Sequence, residues 1–127
     1  MSPLDQYHPV DAGRVATARA GGLSAGDAGP LAELLGILAN PVRSRILFAL
    51  GAAGELCVGD LARALEVTED QVSYALKMLR LARLVSFRKD GRMVFYRLSG
   101  GFPHQLLEHC LPQLLIMASP EADDAGA

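Results

Sequence analysis

The stretch from Thr68 to Arg97 constrains this chain more than any other, because it reads as a capped amphipathic helix running directly into a tight β-hairpin crowded with cations. Thr68 is followed three residues later by Gln71, the spacing at which two side chains reciprocally satisfy backbone donors at a helix start. Val72, Ala75, Leu76 and Leu79 recur on one helical stripe, which leaves Gln71, Ser73, Tyr74 and Lys77 on the outer face. In the hairpin, Val85 and Phe87 share one face of the first strand, and Val94, Tyr96 and Leu98 share one face of the second. Asp90-Gly91 supplies the positive φ angles of a tight turn. Residues 77–97 hold seven cations (Lys77, Arg80, Arg83, Arg88, Lys89, Arg92 and Arg97) against one acid, Asp90, in a chain whose net charge is −2. A cationic patch of this kind beside a polar helix face suits the phosphates and base edges of DNA.

The elements before this stretch fall into a matching order. Leu31, Leu34, Leu35 and Leu38 predict an amphipathic helix from Pro30 to about Asn40. Asn40-Pro41 is a cap with proline in the first helical position, opening a second helix whose inner stripe is Val42, Ile46, Ala49 and Leu50, closed by Gly51 and Gly54. A third helix over Val58 to Leu65 turns inward Leu61, Ala62 and Leu65, and Glu66-Val67 turns the chain into the helix that begins after Thr68. Two short helices joined by a turn, with a polar outer face on the second and a hairpin behind it, give a winged helix-turn-helix. The fold class is mainly α with a two-stranded β-hairpin. Past the hairpin, Ser99-Gly100-Gly101 breaks the strand. Pro103 starts a final helix whose Leu107, Cys110, Leu111, Leu114, Leu115 and Ala118 make a stripe larger than one small domain needs, and hence a dimer face.

The ends have a different composition. Residues 1–29 are rich in Gly, Ala and Ser without a sustained hydrophobic period and read as a mostly flexible arm, with a short helix around Val10 to Ala20. Residues 119–127, with Glu121, Asp123 and Asp124, read as an acidic flexible tail. The domain between them, residues 30–118, holds ten cations against eight acids, so the acidic balance of the whole does not argue against a nucleic-acid partner. No apolar run approaches the ~18 to 20 residues of a membrane span, and no basic-then-apolar leader opens the chain. The expectation is a cytoplasmic protein that engages no membrane. An enzyme finds no support in a Gly-rich phosphate loop, a nucleophile elbow or a usable pair of carboxylates.

These residues in this order resemble the ArsR/SmtB family of winged-helix repressors. The resemblance rests on Leu38-Ala39-Asn40-Pro41-Val42-Arg43-Ser44-Arg45-Ile46-Leu47, on Glu55-Leu56-Cys57-Val58-Gly59-Asp60-Leu61-Ala62, on Val72 to Arg80, and on Gly91 to Leu98. It implies a homodimer, built by the first and last helices, that binds double-stranded operator DNA and releases it when an inducer binds. The DNA contacts expected are Thr68, Gln71, Ser73, Tyr74, Lys77, Arg88, Lys89 and Arg92. Tyr74-Ala75 stands where the family often has two polar residues beginning with His, and Glu69 and Asp70 place acid at the helix start.

The inducer site departs further. Relatives that sense soft metals often carry two thiols one residue apart where this chain has Cys57 and Gly59. A second family site, an Asp with three His, aligns with Gly100, Phe102, Gln113 and Ile116, which offer no ligands. What remains as metal candidates is Cys57, His104, His109 and Cys110, with a transition or heavy metal ion as inducer. Helical spacing aims His104 and Glu108 together and His109 away, and Pro112 is expected to bend the helix. Reversible thiol chemistry at the two cysteines, by disulfide or persulfide, is the rival trigger. A winged-helix module that binds protein rather than DNA is the rival function.

Overall fold

The computed structural model describes residues 10–119. The acids of the tail, Glu121, Asp123 and Asp124, and Asp5 of the arm lie outside the described residues. A boundary between two compact units falls between Glu33 and Leu34.

In the first unit, α1 (Ala12–Gly21) realises the short helix expected there, and Asp11 caps it by accepting from the Arg14 N–H at 2.9 Å. No residue of α1 is buried. The next helix, α2 (Ala25–Leu38), starts five residues before the expected Pro30 and runs on into the second unit. The reason is Ser24, whose hydroxyl accepts from the Asp27 N–H at 3.1 Å and makes a start upstream of the proline, which the helix then carries inside it.

In the second unit, Asn40 caps α3 (Pro41–Ala53) by accepting from Arg43 N–H at 3.1 Å. Ser44 ties its first turn back to the Leu38 carbonyl at 2.6 Å. The inner stripe is Ile46, Leu47 and Leu50, with Val42 and Ala49 half-buried beside them. Gly51 does not close this helix. It sits inside it, where a Cβ would stand 3.1 Å from Leu107 Cδ1, and closure falls to Gly54 at φ +87°. The short β1 (Leu56–Cys57) leads straight into α4 (Val58–Leu65), which buries Leu61, Ala62 and Leu65 as expected. The turn at Glu66 is left-handed, φ 56°, before Thr68 starts α5 (Glu69–Leu81), which buries all four predicted residues, Val72, Ala75, Leu76 and Leu79.

The wing is β2 (Val85–Asp90) and β3 (Met93–Leu98), and it differs from expectation twice. Asp90 pairs with Met93, so the two-residue loop is Gly91-Arg92 and only Gly91 has positive φ, at 61°; the turn is of the type with glycine in its first central position. The hairpin also gains a third strand, because β1 pairs antiparallel with β3 (Leu56↔Tyr96, Cys57↔Phe95), giving the order β1-β3-β2. A two-residue strand is too short to leave a hydrophobic period in the sequence.

Phe102 and Leu107 close the core under α3, α4 and α5. The last helix opens as a π-helical turn, Leu106–Cys110, and continues as α6 (Leu111–Ala118). The expected bend takes this form because Pro112 has no N–H to give Glu108, and the Leu111 N–H reaches back to Leu106 instead. Of the stripe expected as a dimer face, Leu107 is buried and Leu111 half-buried against the core of this chain, while Cys110 is exposed. Beyond it Leu114, Leu115, Ile116 and Met117 are all more than half exposed (56–73%).

Candidate nucleic-acid interface

α5 presents Ser73, Tyr74 and Lys77 outward, as its periodicity requires once Val72, Ala75, Leu76 and Leu79 are committed to the core. At its start, the capping box is complete. The Thr68 hydroxyl accepts from the Gln71 N–H at 3.1 Å, and Gln71 Oε1 accepts from the Thr68 N–H at 3.0 Å and from its hydroxyl at 3.2 Å. Two residues expected to read DNA are therefore bonded to each other. Gln71 keeps only its amide N–H groups for a base edge. Tyr74 is 61% exposed, with the Arg43 guanidinium 6.0 Å from its ring centroid.

Strand alternation divides the wing into two faces. Register pairs Val85 with Leu98, Phe87 with Tyr96 and Lys89 with Val94 on one face, as the sequence period predicts, and this face turns toward α5, where Val85 and Leu98 enter the core. On the same face Arg80, from the last turn of α5, places its guanidinium carbon 4.4 Å from the Phe87 ring centroid, and Phe87 in turn packs on Tyr96 at 5.8 Å.

The opposite face carries Ser86, Arg88, Phe95 and Arg97 together with Glu55, which precedes β1. Arg88 Nε donates to Glu55 Oε2 at 2.8 Å, its Nη1 lies 3.8 Å from Asp90, and its guanidinium sits over Phe95 at 4.8 Å. Arg97 reaches Glu55 at 4.0 Å and Ser86 at 3.4 Å. Arg88, expected among the DNA contacts, thus also forms an exposed clasp between the wing and the residue before β1. The sequence count overlooked this because Glu55 is 33 residues away from Arg88 in the chain. Lys77, Arg80, Lys89 and Arg92 have no carboxylate within 4.0 Å among the described residues. Arg80 was missed for the opposite reason: nothing in a linear reading places Phe87 under it.

The metal candidates do not assemble. Cys57 is 8% exposed at the junction of β1 and α4, whereas Cys110 is exposed on the π turn. His104 packs edge-on against Phe102, with centroids 6.0 Å apart, and His109 Nε2 stands 3.8 Å from Glu108. Among the described residues no group of three or more His, Cys, Asp or Glu is placed to hold an ion. His104 and Glu108 do border one pocket of about 240 Å³ with Phe48, Gly51, Ala52 and Leu107. Gly59, where a second thiol is absent, lies against Glu69, whose Oε1 is 3.3 Å from where a Cβ would stand.

Comparison with known proteins points the same way as this geometry. A family model described as "Bacterial regulatory protein, arsR family" matches residues 40–86. A transcriptional repressor SmtB homolog of Synechocystis is 47% identical over 77 residues, 61% of this chain and 58% of that protein. The arsenical resistance operon repressor of Escherichia coli is 42% identical over 71 residues, 56% of this chain and 61% of that protein. The chain thus spans less than two thirds of the length of these curated relatives. Among solved structures, HlyU from Vibrio cholerae is 34% identical with a TM-score of 0.62, over 72% of this chain and 97% of that one.

Proposed function

The chain belongs to the arsR family of bacterial regulatory proteins, and from that membership we propose that it is a DNA-binding transcriptional repressor acting as a homodimer. One observation carries this reading: the outer face of α5 and the tip and inner face of the wing hold Lys77, Arg80, Lys89 and Arg92 without an acidic partner among the described residues, beside a helix whose core stripe leaves its polar face free. Phosphate contacts from such cations would position α5 in a major groove, with Tyr74 and the free amide of Gln71 toward base edges. The exposed Leu34 and Leu35 of α2 and Leu114, Leu115, Ile116 and Met117 of α6 support a second copy as the cover for that apolar surface.

Fluorescence anisotropy with duplex from upstream of the gene tests this reading. A repressor with several phosphate contacts per protomer loses about 10³ to 10⁵ in affinity between 50 and 200 mM salt. Affinity that does not respond to salt would instead indicate a protein-binding module.

A metal ion as inducer is proposed from the similarity to a repressor of arsenical resistance. Since one chain does not bring Cys57, His104, His109 and Cys110 together, the ligands would come from two copies, and exposed Cys110 and His109 are the available donors. Arsenite or cadmium should release the duplex from the wild type and from Cys57→Ser, but not from Cys110→Ser. Release from all three would rule out a Cys110 thiolate as ligand.

A further inference from the structure

Between α5 and the inner face of the wing lies an open cleft of about 410 Å³ lined by Ser73, Leu76, Lys77, Arg80, Leu81 and Tyr96. Its charge is unbalanced. Lys77 and Arg80 both line it, no acid does, and neither cation has a carboxylate within 4.0 Å among the described residues. Arg80 is also held in place. Its guanidinium carbon lies over the Phe87 ring, 4.4 Å from the centroid, and Phe87 is braced by Tyr96 at 5.8 Å, so the cation–π contact holds the guanidinium at the cleft while its N–H groups have no hydrogen-bond partner among the described residues. An oriented guanidinium, a flexible ammonium and the hydroxyls of Ser73 and Tyr96 form a donor set for a tetrahedral oxyanion.

The cleft is far larger than a bare phosphate, and Leu76 and Leu81 give it apolar walls. A phosphate with its sugars attached matches both features. We propose that this cleft seats one phosphodiester of the DNA backbone with its flanking deoxyribose, gripped by Arg80 and Lys77 and assisted by Ser73 and Tyr96. The proposal rests on the DNA-binding reading and deepens it: Arg80 and Tyr96 become positioning contacts that set how far α5 enters the groove, independent of base sequence.

The test uses the full chain, a 30-base-pair duplex of random sequence and anisotropy over a salt series. Arg80→Gln should lower affinity about tenfold and flatten the dependence of log affinity on log salt by about 0.9 per protomer, the signature of one lost phosphate contact. Arg80→Lys keeps the charge but loses the stacked fork, so it should weaken binding about threefold with the slope retained. Tyr96→Phe should cost about twofold. A wild type that binds duplex while Arg80→Gln leaves the slope unchanged overturns this proposal alone. A wild type that binds no duplex overturns the function as well. Sodium pyrophosphate or benzoate that binds the wild type at micromolar concentration and displaces duplex would make the cleft a small-anion site instead, also against the proposal. Unchanged melting of Arg80→Lys separates the contact from a fold defect if Arg80→Gln is poorly folded.

Discussion

The two faces of the wing carry the same residue type in opposite circumstances. Toward α5, Arg80 lies over Phe87 with no acid partner, beside Lys77 and the Tyr96 hydroxyl. On the other face, Arg88 lies over Phe95 in much the same way, yet Glu55 takes its Nε at 2.8 Å and Asp90 and Arg97 complete a compensated cluster. A count of cations along the chain treats these arginines alike. Pairing separates them, because Glu55 and Asp90 offset the charge that Arg88 presents to a phosphate and hold its Nε, whereas Arg80 meets a phosphate with its charge uncompensated by any carboxylate within 4.0 Å among the described residues. The effective patch is therefore smaller than seven charges and sits on the side of the wing that faces the helix.

The largest expected effect comes from stripping the unpaired side. Lys77→Ala combined with Arg80→Gln should lower duplex affinity about 100-fold, close to 2.8 kcal/mol at ~1.4 kcal/mol per tenfold, while Arg88→Ala with Arg97→Ala should change it less than about threefold. Equal losses from the two double variants, measured by anisotropy, would erase the distinction between the faces. Next, Phe87→Ala removes a half-buried ring together with the platform under Arg80. It should cost about 1 to 2 kcal/mol in urea unfolding, below the ~3 to 5 of a fully buried Phe, and it should also weaken DNA binding; Phe95→Ala should leave binding nearly unchanged.

Thr68→Ala breaks the capping box, and about 1 kcal/mol of stability should go with it. Gln71 Oε1 keeps the backbone N–H of residue 68 as its donor in this variant, so the loss measures the hydroxyl half of the box alone. The smallest effect belongs to Glu55→Gln. This exposed clasp contributes no more than the ~0 to 1 kcal/mol of surface ion pairs, so stability should barely move, while release of Arg88 should raise duplex affinity about twofold. A fall in affinity would show instead that Glu55 aims Arg88 at DNA.

Much of this was legible one residue at a time. The Thr68–Gln71 cap, the four buried positions of α5 and the shared faces of Val85 with Phe87 and of Val94, Tyr96 and Leu98 follow from local periods, and local periods survive folding unchanged when burial is decided within one element. Start signals were readable only where they were unambiguous. Asn40-Pro41 was, but Ser24 was overlooked in favour of Pro30, since a proline tolerated within a helix looks the same as one that opens it. The candidate interface was half legible. Ser73, Tyr74, Lys77, Lys89 and Arg92 stand exposed as expected, whereas Thr68, Gln71 and Arg88 have internal partners, and Arg80 acquires its setting only from a strand seven residues further on.

The sequence by itself determined the order of elements, the inner stripes of α4 and α5 and the family to which they belong, because hydrophobic period, caps and turn residues act over a few residues and need no distant partner. Only the tertiary structure decided which charges are spent. Antiparallel register brought Glu55 beside Arg88 and laid Phe87 under Arg80, and the last helix opens as a π turn at Leu106–Cys110, ahead of Pro112. Electrostatic pairing and ring stacking depend on distances of a few ångströms between residues far apart in the chain, and those distances exist only after the sheet has closed on the helix.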